Sequence, residues 1–116
     1  MANTLQVRGD RWAAFDPQVL AIQADNLTPL TIQFDEAALD LFGTTPVAHI
    51  DWLLPDGTTS MYTGPYTPDD DVDITIPDTV LAQAGTLRAQ VRVQDETGLV
   101  WRSLEAHTVI YRALTA

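Results

Sequence analysis

The run Gly85 to Gln94, GTLRAQVRVQ, places Leu87, Ala89, Val91 and Val93 at every second position, with Arg88, Gln90, Arg92 and Gln94 between them. Successive side chains of a strand point to opposite faces, so this spacing can bury one face of a sheet but not the stripe of a helix. The same period recurs along the chain. Leu5 and Val7 suggest a short entry strand, and QVLAIQA (18–24) and PLTIQFD (29–35) read as a second and third strand around Asn26. In the latter, Leu30, Ile32 and Phe34 face inward while Thr31 and Gln33 face out. VAHIDWLL buries Ala48, Ile50, Trp52 and Leu54 and leaves His49 and Asp51 on the other face. The turn formers Pro55, Asp56 and Gly57 then bring TTSMYTG back as a hairpin partner. VDITI turns Val72, Ile74 and Ile76 inward, DETG is a turn with Gly98 in the left-handed position, and LVWRSL and EAHTVIYRA close the chain.

About eight short strands separated by turn signals predict an all-β fold, an antiparallel immunoglobulin-like (Ig-like) sandwich occupying residues 1–116 as one domain. The expected core holds Leu30, Ile32, Phe34, Ile50, Trp52, Ile74, Val91, Val93 and Ile110. PDTVLAQAG supplies the one short helix, with Pro77 in its first turn, Asp78 at the positive end of the dipole and Gly85 as its stop. DEAALDLFG is either a helical turn or a covering loop.

A chain of 116 residues has room for one core. It has no cysteine, which removes disulfides, thiolate metal sites and thiol nucleophiles together and leaves stability to apolar burial. Sixteen acids against six arginines, with no lysine, give a net charge of −10. That balance argues against nucleic acid as a partner, because binding it needs a basic surface that releases phosphate counterions. No run approaches the ~18 apolar residues of a membrane helix, so no membrane partner is expected. MANTLQVRGD lacks the basic and apolar regions of a secretory signal, so synthesis in a cytoplasm is expected.

Candidates for chemistry are few. Nucleophilic catalysis would have to draw on Ser60, Ser103, His49 and His107, none of them in a nucleophile-elbow or metal-ligand spacing. Paired carboxylates are abundant, but an acidic surface forms such pairs by chance. Asp69, Asp70, Asp71 and Asp73 could in principle wrap a hard cation. The run lacks the glycine and terminal glutamate of a calcium loop, and no tight calcium site is expected. Of Trp12, Trp52 and Trp101, the last two fall on inward positions, which leaves Trp12 with Tyr62 and Tyr66 as the aromatic row a sugar- or peptide-binding module would expose. No catalytic residue, cofactor or metal is expected.

The arginines are unevenly placed: Arg88, Arg92 and Arg102 share one hairpin. If Asp95 pairs with Leu99 across a bulged turn, Arg92 lies opposite Arg102, and like charges so placed are destabilising unless an acid is near. That acid is either the chain's own, Glu105 or a loop carboxylate, or belongs to a neighbouring subunit. Arg88, Arg92 and Arg102 are therefore the candidate interface.

Gly9, Asp10 and Trp12, the PDG hairpin, ITIPDTVLAQAGTLRAQVRV and the closing HTVIYRAL follow one another in an order that resembles the N-terminal domain of phage baseplate upper proteins and related tail-fibre adaptors. The resemblance spans most of the chain. It implies a non-enzymatic virion component that docks other virion subunits, or copies of itself, in a symmetric assembly.

Overall fold

The computed structural model describes residues 3–16, 19–22, 28–43, 45–59 and 61–114, for 19–22 and 61 the backbone alone. Ten strands and one helix follow in chain order: β1 (Asn3–Val7), β2 (Ala13–Asp16), β3 (Val19–Ile22), β4 (Pro29–Phe34), α1 (Glu36–Leu41), β5 (Val47–Leu53), β6 (Met61–Tyr66), β7 (Asp71–Thr75), β8 (Gly85–Gln94), β9 (Val100–Arg102) and β10 (Ala106–Tyr111). They form two sheets. The smaller has the order β2-β1-β4-β7, and the larger the order β3-β10-β8-β5-β6, with β9 also paired to β8. The molecule is an all-β sandwich. Its β4–β7 pair and its β6-β5-β8-β10 run follow the Ig-like arrangement.

Alternation builds the core as expected. Leu5, Val7, Leu30, Ile32 and Phe34 from one sheet meet Ala48, Ile50, Trp52, Leu87, Val91, Val93 and Ile110 from the other, all buried. Val72 and Ile74, opposite Ile32 and Leu30, pack at its margin. Trp52 is 2% exposed, stacks on Phe15 with ring centroids 6.4 Å apart and donates from Nε1 to Thr63 Oγ1 at 2.9 Å. At one end of the sandwich, Phe34, Phe42 and Trp101 form an edge-to-face chain, with centroids 5.5 and 5.1 Å apart. Trp101 thus lies inward opposite Val93, though only partly buried.

Four details depart from the sequence reading. The helix lies at Glu36–Leu41, not in PDTVLAQAG. Asp35 caps it by accepting from Ala38 N at 2.7 Å, and the same carboxylate oxygen accepts from Gly9 N at 3.0 Å. One acid therefore caps α1 and anchors the β1–β2 turn. A Cβ on Gly9 would sit 2.8 Å from Ala37, so this approach requires glycine. Pro77 to Leu81 instead makes two successive turns, Val80 N to Pro77 O and Leu81 N to Asp78 O, which drop the adjacent Val80 and Leu81 side chains into the core. Neighbouring positions do not share a helix face, so burying both Val80 and Leu81 favours turns over a helix here.

The strand count is ten rather than about eight, and the strand that the sequence reading did not mark is Ala13–Asp16, which pairs with β1. The segments on either side of Asn26 do not share a sheet: β3 joins β10, and β4 joins β1 and β7, while the intervening 23–27 lie outside the described residues. Finally, β1–β4 and β3–β10 are parallel in an otherwise antiparallel fold. The crossing of β3 to the second sheet separates β1 from β4 by a long connection, which a parallel pair needs.

Candidate functional site

The outer faces of the two sheets differ in kind. Across the smaller sheet the outward positions are Thr4, Gln6, Asp16, Thr31, Gln33, Asp71, Asp73 and Thr75, with Ala14 and Pro29 the apolar side chains among them. On the larger sheet, Val47, Tyr62, Val100, Val109 and Tyr111 lie between 38% and 62% exposed, half of the large exposed apolar side chains among the described residues. Three of the six arginines share that face. Val47 and Val100 lie beside Gln94 at one end of β8, Val109 and Tyr111 at the other, and Tyr62 on β6, with the arginines between them, so the face mixes valine, tyrosine and arginine in the manner of a protein-docking surface.

Register places each arginine. The Asp95–Leu99 closure forms as expected, with Asp95 N donating to Leu99 O at 3.1 Å and Gly98 at φ 89°. The Asp95 carboxylate organises the turn by accepting from the Thr97 hydroxyl, Thr97 N and Leu99 N, and these bonds hold its pKa below the ordinary carboxylate value, the hydroxyl's most of all. Arg92 is consequently opposite Arg102, and Arg88 opposite His107. The hairpin juxtaposes the arginines as the sequence implies.

The compensating acid is Asp51 for Arg92 and Glu105 for Arg88. Arg92 Nε donates to Asp51 Oδ2 at 3.0 Å and Nη2 to Oδ1 at 3.2 Å, a bidentate fork that draws the guanidinium toward β5 and away from Arg102. The hydrogen bonds to Asp51 raise the Arg92 pKa further. Arg88 and Glu105 are 3.8 Å apart and both well exposed, a loose pair. The Arg102 side chain makes no ion pair among the described residues, while its carbonyl accepts from Arg11 Nη1 at 2.7 Å. Arg11 also lies over the Trp101 ring, 5.5 Å from its centroid, so cationic charge gathers at β9. Sequence reasoning put Asp51 on an outward position but did not pair it with Arg92. The β5–β8 register that sets His49 against Arg92 and Asp51 against Gln90 spans about forty residues of chain.

A shallow groove of about 300 Å³ indents the centre of this face, lined by Asp51, Leu53, Thr59, Arg88, Gln90 and Glu105. Beside it, His49 meets Tyr62 edge-on at 5.8 Å. Its Nδ1 is buried without a hydrogen-bond partner, close to where a Cβ on Gly64 would lie. Burial, then the Arg92 charge, lower the His49 pKa, and Asp51 only partly offsets them. In the unfolded chain His49 takes up its proton near 6.5, whereas the folded protein resists it. Stability is therefore lost as pH falls below about 6.5 toward the folded value. His49→Gln should flatten that part of the curve of unfolding free energy against pH. An unchanged slope would assign the acid sensitivity elsewhere.

The other candidates are dispersed. Ser103 is buried, its hydroxyl accepting from Val91 N at 3.0 Å and donating to Leu104 O at 2.9 Å, where the chain jogs between β9 and β10. His107 is exposed on the outer face, and Ser60 lies outside the described residues. Trp12 sits in the β1–β2 connection with the Arg8 guanidinium 5.3 Å from its ring centre. Tyr62 projects from the larger sheet, and the Tyr66 hydroxyl is buried, its pKa pushed up by desolvation and then by Asp51. The three do not form one exposed row. Asp73 accepts from the Thr31 hydroxyl at 2.7 Å, Asp69 accepts from Asp70 N at 2.8 Å, and no group of three or more metal-ligating side chains gathers among the described residues. No protein-family model and no curated protein matches this chain.

Proposed function

We propose that this chain is a non-enzymatic structural component of a phage virion, a subunit of the tail, baseplate or fibre attachment or a capsid accessory, which docks other virion proteins through the outer face of its larger sheet. One observation carries the docking role. Val47, Tyr62, Val100, Val109 and Tyr111 share that face with Arg88, Arg92 and Arg102, while the opposite sheet presents threonine, glutamine and aspartate to solvent. A lone soluble domain gains nothing from gathering its exposed apolar residues on one side, whereas a docking surface requires it. The placement in a virion is supported by the resemblance in Gly9, Asp10 and Trp12, the PDG hairpin and the ITIPDTVLAQAGTLRAQVRV segment.

Val100 is the position to test, because it is exposed and a charge there should leave the fold intact. Virus particles assembled with Val100→Asp should retain at least about tenfold less of the chain than particles assembled with wild type, since a buried unpaired charge at an interface costs about 1.4 kcal/mol or more. Incorporation of the variant at wild-type levels, or failure of the wild type to copurify with particles, would refute the proposal.

A further inference from the structure

We infer that the occupant of the larger sheet's outer face is a second copy of this chain, joined face to face about a two-fold axis; this rests on the docking role proposed above. Size permits it. The five strands abreast hold from four to ten residues each, and at ~4.8 Å between strands and ~3.3 Å per residue they make a face of roughly 520 Å². Two such faces together bury about 1,000 Å², the lower bound for a specific contact and the size of a weak, reversible dimer.

Charge selects the occupant. Two copies of a chain with net charge −10 repel over most of their surfaces. The outer face of the larger sheet is the exception, with three arginines against two carboxylates, Asp51 and Glu105, set among apolar side chains. It is neither basic enough to demand a strongly acidic partner nor acidic enough to demand a basic one. The same face holds Arg102, which makes no ion pair among the described residues, and Glu105, whose ion pair to Arg88 is loose and exposed at 3.8 Å and leaves the carboxylate able to take a second arginine.

A two-fold contact is self-complementary, so an Arg102 that reaches Glu105 of the opposing copy does so twice, and the flanking apolar residues exclude water from both pairs. Arginine suits this role, since its planar fork matches a carboxylate.

Sedimentation equilibrium of the full chain over a wide concentration range, at low and high salt, is the test. Wild type should dimerise reversibly, more weakly at high salt. Arg102→Glu and Glu105→Arg should each weaken the dimer by at least about tenfold, with melting temperatures near wild type. The double variant, Arg102→Glu with Glu105→Arg, restores both pairs with reversed sign and should dimerise within a few-fold of wild type. A monomeric wild type, a dimer indifferent to both single variants, or a double variant no better than either single one would overturn the inference. A monomeric wild type whose incorporation into particles still fails in Val100→Asp would overturn the second copy alone and leave the docking face standing.

Discussion

Trp52→Ala should lower the unfolding free energy by about 3–5 kcal/mol, the range for truncating a large aromatic side chain in a packed core. Trp52 is 2% exposed, stacks on Phe15 from the opposite sheet and spends its one donor on Thr63. Truncation therefore removes apolar burial, opens a cavity between the sheets and strips Thr63 of its donor at the same time. The effect should reach the outer face, because Trp52 fixes β5 in depth and its neighbour Asp51 fixes Arg92. Trp52→Phe should cost less, retaining most of the ring contact while losing the Nε1 bond. Chemical denaturation measures both, and a loss under about 1 kcal/mol for Trp52→Ala would show that the core does not depend on this residue.

What could be read in the sequence, and what could not, divides by range of interaction. The alternation in GTLRAQVRVQ and VAHIDWLL marked the inward faces of β8 and β5 because a strand's own period carries that information. The Asp95–Leu99 turn was legible for the same reason: Gly98 and the acid that bonds Thr97 and Leu99 lie within five residues. With the turn came the Arg92–Arg102 pairing. Asp51 as the partner of Arg92 was not legible, because both residues were known to point outward but nothing local says that β5 lies beside β8. The helix was misplaced between two weak signals. Pro77 and Asp78 resemble a helix start, yet Val80 and Leu81 are adjacent and both buried, an arrangement that two successive turns accommodate. Asp35 gave a better start for the segment after it, since its carboxylate reaches the third residue on and also reaches Gly9, a contact 26 residues away that only the folded chain creates. Ala13–Asp16 went unread because the inward Ala13 and the outward Ala14 are the same small residue, so the segment shows no contrast between its two faces. The concentration of exposed apolar residues on one face also depends on strand order, and so emerged only with the fold.

Asp51→Ala should cost about 1–2 kcal/mol, more than an exposed ion pair is worth and less than a fully buried one. Arg92 is 19% exposed and Asp51 39%, so solvent screens the carboxylate and the upper range for charge-assisted hydrogen bonds does not apply in full. The loss has two parts. Arg92 forfeits both bonds of its fork, and without Asp51 to draw it toward β5 its charge faces Arg102 directly across the β8–β9 pair. Like charges placed opposite one another on a sheet repel, and added salt weakens that repulsion. The destabilisation should therefore shrink at high ionic strength, and Arg102→Ala in the Asp51→Ala background should recover part of it. In the wild type, by contrast, Arg102→Glu should leave stability near its original value, because Arg102 has no ion pair of its own to lose. The comparison separates the two arginines: Arg92 holds the face together from within, while Arg102 is available to a partner. Denaturation of the single and double variants at two salt concentrations measures the coupling, and an Asp51→Ala protein as stable as wild type at low salt would show that the fork contributes nothing to the fold.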